Sequence, residues 1–254
     1  MKDIMKHLSA LLHSCTPALL RCCFSGLLCY LSLSAAAQDI QLHYDFGRNI
    51  YTGEQAGRSK VTITVEQFKA DKWGSWYYFV DVDLSSHFTE DAYTEISREF
   101  TLGKESPFAA HVEYDGGVSR SGSFQQAALA GLAWNGHNAD FSTTYSVQAL
   151  YKQYFKSYDN THSYASAQLT GVWSTTFANK RMTFAGFIDL WRGEKANGHG
   201  QLVVLSEPQL WYNVTPHFSV GTEWEFSNNF VYNTDPTSDK TFFWNPTLGV
   251  KWNF

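Results

Sequence analysis

The sequence predicts an all-β fold, a transmembrane antiparallel up-and-down β-barrel of about 12 strands that follows a cleaved signal peptide. Three observations carry that reading. The chain opens on a short apolar leader ending in alanines, its apolar residues then recur one in two, and short turns alternate with longer polar connections.

In the leader, Lys2, Lys6 and Arg21 flank apolar stretches, the densest running from Cys22 to Leu33. Ala35, Ala36 and Ala37 offer small-residue positions for a signal peptidase cut before Gln38. Residues 1–37 read as a signal peptide and 38–254 as one barrel domain. A membrane anchor is the rival, but the uninterrupted run after Arg21 is only about a dozen residues, short of the roughly 20 a spanning helix needs. A lipoprotein anchor at Cys15 or Cys29 lacks a good small-residue box. Cys15, Cys22, Cys23 and Cys29 all lie in the leader, so the mature chain has neither disulfides nor thiolate metal sites.

The leader holds three of the 19 basic residues and one of the 24 acidic ones, which leaves 16 against 23 and a mature net charge of −7. An acidic chain without clustered Lys and Arg is unsuited to a nucleic-acid polymer. Aromatic content is 17% and mean hydropathy −0.30. A secreted β-sandwich and a membrane barrel both fit those values, and periodicity chooses between them.

The strands follow in order. Ile40, Leu42, Tyr44 and Phe46 alternate with Gln41, His43 and Asp45, and Val61, Ile63 and Val65 with Thr62, Thr64 and Glu66. Trp76, Tyr78, Val80, Val82 and Leu84 alternate with Tyr77, Phe79, Asp81 and Asp83. Phe108, Ala110, Val112 and Tyr114 oppose His111, Glu113 and Asp115. Phe141, Tyr145, Val147 and Ala149 oppose Ser142, Thr144, Ser146 and Gln148. Phe184, Ile188 and Leu190 then oppose Thr183, Ala185 and Asp189, and Phe218, Val220, Trp224 and Phe226 oppose Ser219, Gly221, Glu223 and Glu225. At the end, Phe242, Trp244, Leu248, Val250, Trp252 and Phe254 share one parity. Each strand has one apolar face for lipid and one mixed face for a lumen. A terminal Phe254 behind alternating aromatics resembles the strand that the outer-membrane barrel-assembly machinery recognises.

Short connections are expected at 70–75, 103–107, 135–138, 178–180 and 214–216, and longer ones at 49–58, 86–91, 115–123, 153–161, 193–200 and 229–240. Tight periplasmic turns alternating with longer outer loops make twelve strands and return both termini to the periplasm of a bacterial outer membrane. Two stretches resist: Arg98 falls on the apolar parity of Thr94, Ile96, Phe100 and Leu102, where a bulge or another register would re-aim it, and Gln125 to Ala133 is too small and mixed to assign. The Gly/Ser-rich segment 116–123 reads as a solvated tip.

The inward parity collects Asp45, Glu66, Asp81, Asp83, Glu95, Glu99, Glu113, Asp115, Asp189, Glu207, Glu223 and Glu225, with Phe68, Tyr77, Phe79, Tyr93, Phe187, Trp191 and Trp211 among them. Small barrels fill their interiors with paired polar networks, for which Arg48, Lys152, Lys251 and the histidines supply partners. The functional reading is a narrow path in which aromatic faces stack flat groups and carboxylates accept hydrogen bonds from hydroxyls or amines. Glu66, Phe68, Tyr77, Phe79, Asp81, Asp83, Glu95 and Trp211 are the candidate solute-binding residues.

The run from Val65 through Glu66, Phe68, Asp71 and Trp73, then Tyr77 to Asp81, resembles the E-x-F, D-W, Y and D pattern of the Tsx family of nucleoside-specific channel-forming outer-membrane proteins. Tyr93, Glu95, Ile96 and Phe100 continue the likeness, and the ending from Gly249 to Phe254 is similar to that family's last strand. The resemblance covers about the second to fourth strands and the C-terminus. It implies a monomeric 12-stranded barrel passing nucleosides by diffusion, with Glu66, Phe68, Tyr77, Asp81 and Glu95 carried over.

Rival classes are weaker. A barrel enzyme acting on lipid or peptide would need a Ser, His or Asp constellation. His87 with Asp91 or His162 with Asp159 would have to supply it, and no G-x-S-x-G motif occurs. Asp81 and Asp83 share a face without reaching a metal-ligand set, so neither metal nor cofactor is expected. A plugged structural or adhesion barrel would present its outer loops, which are modest in length.

Overall fold

A strand with one apolar and one polar face is stable only where the first meets lipid and the second a shared interior, and a closed ring satisfies every backbone donor without leaving an edge. The computed structural model of the chain describes residues 38–86, 88–157, 162–195 and 198–254, so the expected signal peptide (residues 1–37) and its expected cleavage point lie outside the described residues. The strands are β1 (Asp39–Asp45), β2 (Val61–Asp71), β3 (Gly74–Ser85), β4 (Phe88–Thr101), β5 (Phe108–Ser119) and β6 (Ala127–His137). They continue with β7 (Thr143–Tyr154), β8 (Tyr164–Phe177), β9 (Met182–Glu194), β10 in two pieces (Gly200–Ser206 and Gln209–Asn213), β11 (Phe218–Asn228) and β12 (Phe242–Asn253).

Each strand pairs antiparallel with its sequence neighbours, and β1 closes the ring on β12 from Asp39 opposite Asn253 to Asp45 opposite Thr247. The expected twelve-stranded barrel is what forms. β10 is interrupted at Pro208, which has no N–H to give, while Glu207 still donates its amide to the Phe187 carbonyl at 3.1 Å and the Pro208 carbonyl accepts the Trp224 amide at 2.9 Å. The register on β9 is nevertheless the same on both sides, Ile188 opposite Ser206 and Ala185 opposite Gln209.

The outward parity carries Leu42, Ile96, Val112, Leu132, Val147, Leu169, Leu248 and Val250, all exposed. Toward the short turns they give way to Trp76, Phe100, Phe108, Trp134, Tyr145, Tyr212 and Trp252, and toward the long loops to Tyr44, Tyr114, Tyr151, Phe226 and Trp244. An apolar belt between two aromatic girdles is the surface a bilayer requires.

Several sequence expectations need correction. Segment 86–91 is not a long loop: β3 ends at Ser85, β4 begins at Phe88, and a bulge between Asp83 and Leu84 tightens the hairpin. Segment 116–123 is no solvated tip, because β5 runs to Ser119 and Gly122–Ser123 folds back onto Val118 and Ser119. Asn135 to His137 belong to β6, which also absorbs most of the unassigned 125–133 run.

Arg98 keeps its outward position in an unbroken register, opposite Trp76 and Val112. Its guanidinium lies 5.0 Å from the Trp76 ring centre and 4.9 Å from that of Phe100, and Nη2 donates to Asp71 Oδ1 at 2.9 Å. Aromatic cover and an ion pair at the turn end make the cation tolerable there, with no bulge needed.

Candidate functional site

The lumen collects the charge. β1 turns Asp39 and Asp45 inward, β2 Glu66, β3 Asp81 and Asp83, β4 Asp91, Glu95 and Glu99, β5 Glu113 and Asp115, β9 Asp189, β10 Glu207, and β11 Glu223 and Glu225. Against them, among the described residues, stand Lys152, Lys251 and the loop residue Arg58, with His43 and His111.

One wall, formed by β10, β11, β12, β1 and β2, is tied into a single network. The Glu223 amide donates to Thr247 Oγ1 at 3.1 Å, and that hydroxyl lies 2.9 Å from His43 Nδ1. His43 Nε2 lies 2.9 Å from Gln41 Oε1, an acceptor, which assigns the proton to Nε2. The Gln41 amide then donates to Asp39 at 3.0 Å and Glu66 at 3.2 Å. Trp211 lies against this network: its Nε1 donates to Gln209 at 2.8 Å, its ring meets His43 edge-on at 5.6 Å, and Lys251 Nζ sits 4.4 Å over it. The large ring fits because Gly221 and Gly249 leave room; a Cβ on Gly221 would come within 2.6 Å of the indole.

Above this wall the first outer loop turns into the barrel. Asp45 accepts the Gly47 amide at 2.5 Å, starting the helical turn Gly47–Ile50. Gln55 is fully buried and donates to Asn245 Oδ1 at 2.9 Å, while Tyr51 packs edge-on against the buried Phe243 at 5.1 Å. Arg58 bonds Asp45 through Nε at 3.0 Å and Nη2 at 2.8 Å, and Glu225 through Nη2 at 2.7 Å. Burial works against its charge, but Glu225 and Asp45 outweigh that and hold the guanidinium protonated beyond its ordinary range. The last loop locks onto the first: Thr234 gives its amide to the Glu54 carbonyl at 2.8 Å and its hydroxyl to that of Gly53 at 2.8 Å.

The wall of β3 to β5 is different. Tyr77, Phe79, Tyr93 and Phe124 follow one another with ring centres 6.2, 6.1 and 6.2 Å apart, an aromatic ladder along the lumen. Phe124 reaches in from beyond β5 over Gly117, where a Cβ would lie 2.6 Å from its ring. Carboxylates interleave with the rings: Asp81 stands opposite Tyr93, and Glu95 opposite Phe79. Tyr93 donates to Glu95 at 2.9 Å, and Thr64 to Asp81 at 2.5 Å. These inward groups keep partial solvent exposure although they face away from the outer surface, so accessible space remains beside them.

Beyond the ladder, oxygens of Glu95, Glu113 and Asp115 lie within 4.8 Å of one another. Lys152 Nζ, on β7, bonds Asp115 and Gln168 at 2.8 Å each, and His111 lies 3.3 Å from Glu99 and 3.2 Å from Glu113. With an ammonium already at its rim, the cluster is not arranged as a metal cage. Next to it, β6 and β7 fill the interior with Ala127, Leu129 and Leu150.

Of the residues singled out from sequence, Tyr77, Phe79, Asp81 and Glu95 gather along the ladder. Glu66 links it to the Gln41 network, and Asp83 accepts from Thr62 toward the loop end. Phe68, opposite Tyr77, stands half exposed near the turn end. Trp211 lies on the other wall at 1% exposure, its N–H bonded to Gln209 and Lys251 seated over its ring, which leaves it no surface for a solute. Tyr93 was legible as an inward aromatic. Phe124 and Arg58 were not, since both enter from segments without strand parity. Each histidine pair considered for catalysis includes a residue outside the described set, and His162 pairs with Glu194 at 2.9 Å.

The family model described as Domain of unknown function (DUF5020) matches residues 37–254. No curated protein matches the chain. Among solved structures, a NanC porin is 15% identical with a TM-score of 0.56, over 85% of this chain and 99% of that one. A KdgM porin in complex with disordered oligogalacturonate is 13% identical with a TM-score of 0.46, over 85% and 98%. LpxR from Salmonella typhimurium is 6% identical with a TM-score of 0.44, over 85% and 100%. At such identities the NanC likeness speaks for the barrel fold alone.

Proposed function

The chain belongs to the DUF5020 family, and we propose that it is a passive channel of the bacterial outer membrane for small polar solutes with a flat face, nucleosides first. The observation that carries this reading is the aromatic ladder with carboxylates set between its rungs, inside a closed barrel with an apolar belt. A base stacks on Phe79 or Tyr93, while ribose hydroxyls donate to Glu66, Asp81 or Glu95. Exchange between neighbouring rungs about 6 Å apart lets a solute move without leaving the wall, which suits diffusion better than tight binding. Twelve strands enclose more room than eight and less than the 16 to 18 of open porins, as such a path needs. The Tsx-like pattern around Glu66, Phe68, Tyr77, Asp81 and Glu95 supports nucleosides within that class. The leader supports export, with the mature chain starting at Gln38 and working as a monomer.

The test is liposome swelling or planar-bilayer conductance of the refolded mature protein, comparing adenosine and thymidine with sugars and amino acids of similar size. Faster permeation or current block by nucleosides is expected, and Glu66→Ala with Phe68→Ala should slow it while leaving assembly intact. A folded barrel that passes nothing would favour a closed structural barrel, the reading to which the joined first and last loops lend weight.

A further inference from the structure

Two features of the β3–β5 wall point to the charge of the solute, an inference that rests on reading the lumen as a solute path. The first is a group of acidic side chains without cationic partners. Asp83 stands directly opposite Asp91, the two carboxyls sharing a hydrogen bond and hence a proton, and Glu95 stands opposite Asp115. Like charges in facing positions repel unless a cation or proton lies between them. Among the described residues, no Lys or Arg reaches ion-pair distance of Asp81, Asp83, Asp91 or Glu95, for Lys152 is spent on Asp115 and Arg58 on Asp45 and Glu225. Asp115, only 3% exposed, keeps one carboxylate oxygen, Oδ1, with no hydrogen-bond partner.

The second feature is where the rings stand. Phe79 faces Glu95 and Tyr93 faces Asp81 in a checkerboard, so that a group seated there has a ring on one side and a carboxylate on the other, roughly 5 Å apart across the strands. An aromatic face attracts a cation and a carboxylate attracts it further, whereas an anion is repelled by both. A neutral base would use the rings but leave the carboxylate charge unmatched.

We propose that the lumen selects cations over anions, and that ammonium groups carried on flat or aromatic frames are its preferred solutes, held between the Phe79 and Tyr93 rings and the Asp81 and Glu95 carboxylates. Acidic solutes, phosphorylated nucleosides included, are excluded by the same field. Clefts of one sign enrich counter-ions by about tenfold or more.

Two measurements on the refolded mature barrel test this, with folding checked by heat-modifiable gel migration. In planar bilayers under a KCl gradient, the reversal potential should give a potassium-to-chloride permeability ratio of about ten or higher, falling severalfold in Asp81→Asn with Glu95→Gln. In detergent micelles, calorimetric titration should show saturable binding of benzyltrimethylammonium and none of benzenesulfonate, with the ammonium bound about fivefold more weakly by Tyr93→Ala. A ratio near or below one, or equal binding of the two probes, overturns the proposal; the comparison of probes on the unaltered protein decides it even where a variant fails to fold. A folded barrel that binds the ammonium yet carries no current supports the cation preference and overturns the channel reading instead.

Discussion

Arg58→Ala removes the residue that ties the first outer loop to two strands of one barrel wall, β1 and β11. The guanidinium makes three bonds of 2.7 to 3.0 Å to Asp45 and Glu225, whose side chains are only 7% and 9% exposed. Deleting one partner of a buried ion pair costs about 3–5 kcal/mol, because a desolvated charge is left behind. Arg58 itself keeps 25% exposure, so water enters the vacated place and screens part of the loss. The expected destabilisation is about 2–3 kcal/mol, a factor of roughly 30 to 150 in the folding equilibrium.

The loss also has a functional reading. Asp45 starts the helical turn by accepting the Gly47 amide, and Gln55 holds the same loop onto Asn245, so the loop that covers part of the mouth loosens when Arg58 goes. Urea unfolding from lipid vesicles, followed by tryptophan fluorescence, reads the stability; single-channel recording reads a larger, noisier conductance. Arg58→Lys keeps the charge but not the fork and should recover only part of both. An Arg58→Ala barrel with unaltered unfolding and conductance would refute the assignment of Arg58 as the tie between loop and wall.

Trp211→Ala should cost about 3–5 kcal/mol in the same unfolding assay, since the indole is fully buried over Gly221 and Gly249 and nothing adjacent can refill its place; a cost below about 1 kcal/mol would contradict that packing. Arg98→Ala should lower stability by about 1–3 kcal/mol, through the loss of two ring contacts and the Asp71 pair, and Arg98→Met should recover the packing share alone. Phe254→Asp should impair assembly, seen as loss of the heat-modifiable band, and unchanged folding would argue against the terminal strand as an assembly signal.

Strand parity was legible because a period of two is a local property, and at β1, β3, β5, β11 and β12 the inner and outer faces differ in polarity. It failed where they do not. In β6 the inward Ala127, Leu129 and Ala133 are as apolar as the outward Ala130, Leu132 and Trp134, so alternation vanishes although the strand is regular. The opposite error fell at 86–91 and 116–119, where polar residues and glycines suited to a wet interior look the same as loop residues. Arg98 looked misplaced because its solution lies on the neighbouring strand, in Trp76, and in the turn, in Asp71. Most of the ladder could be read from sequence, but its last rung, Phe124, depends on a hairpin folding back over Gly117, a contact without periodic signature.

The interior is divided by these same rules, and the division bears on function. Where β6 and β7 line the lumen, aliphatic side chains close it; where β10 to β12 and β1 line it, a continuous hydrogen-bond chain from Glu223 to Asp39 does. The β3–β5 wall has neither device, and there the unmatched carboxylates concentrate. A sealed lumen would desolvate Asp81, Asp83, Asp91 and Glu95 without cations, at a cost of several kcal/mol for each ionised group. A proton removes that cost, as between Asp83 and Asp91, and water or mobile cations that reach the wall remove it for groups that stay ionised. The lack of cationic partners and the partial exposure of the ladder therefore favour the same arrangement, a wet path along β3 to β5.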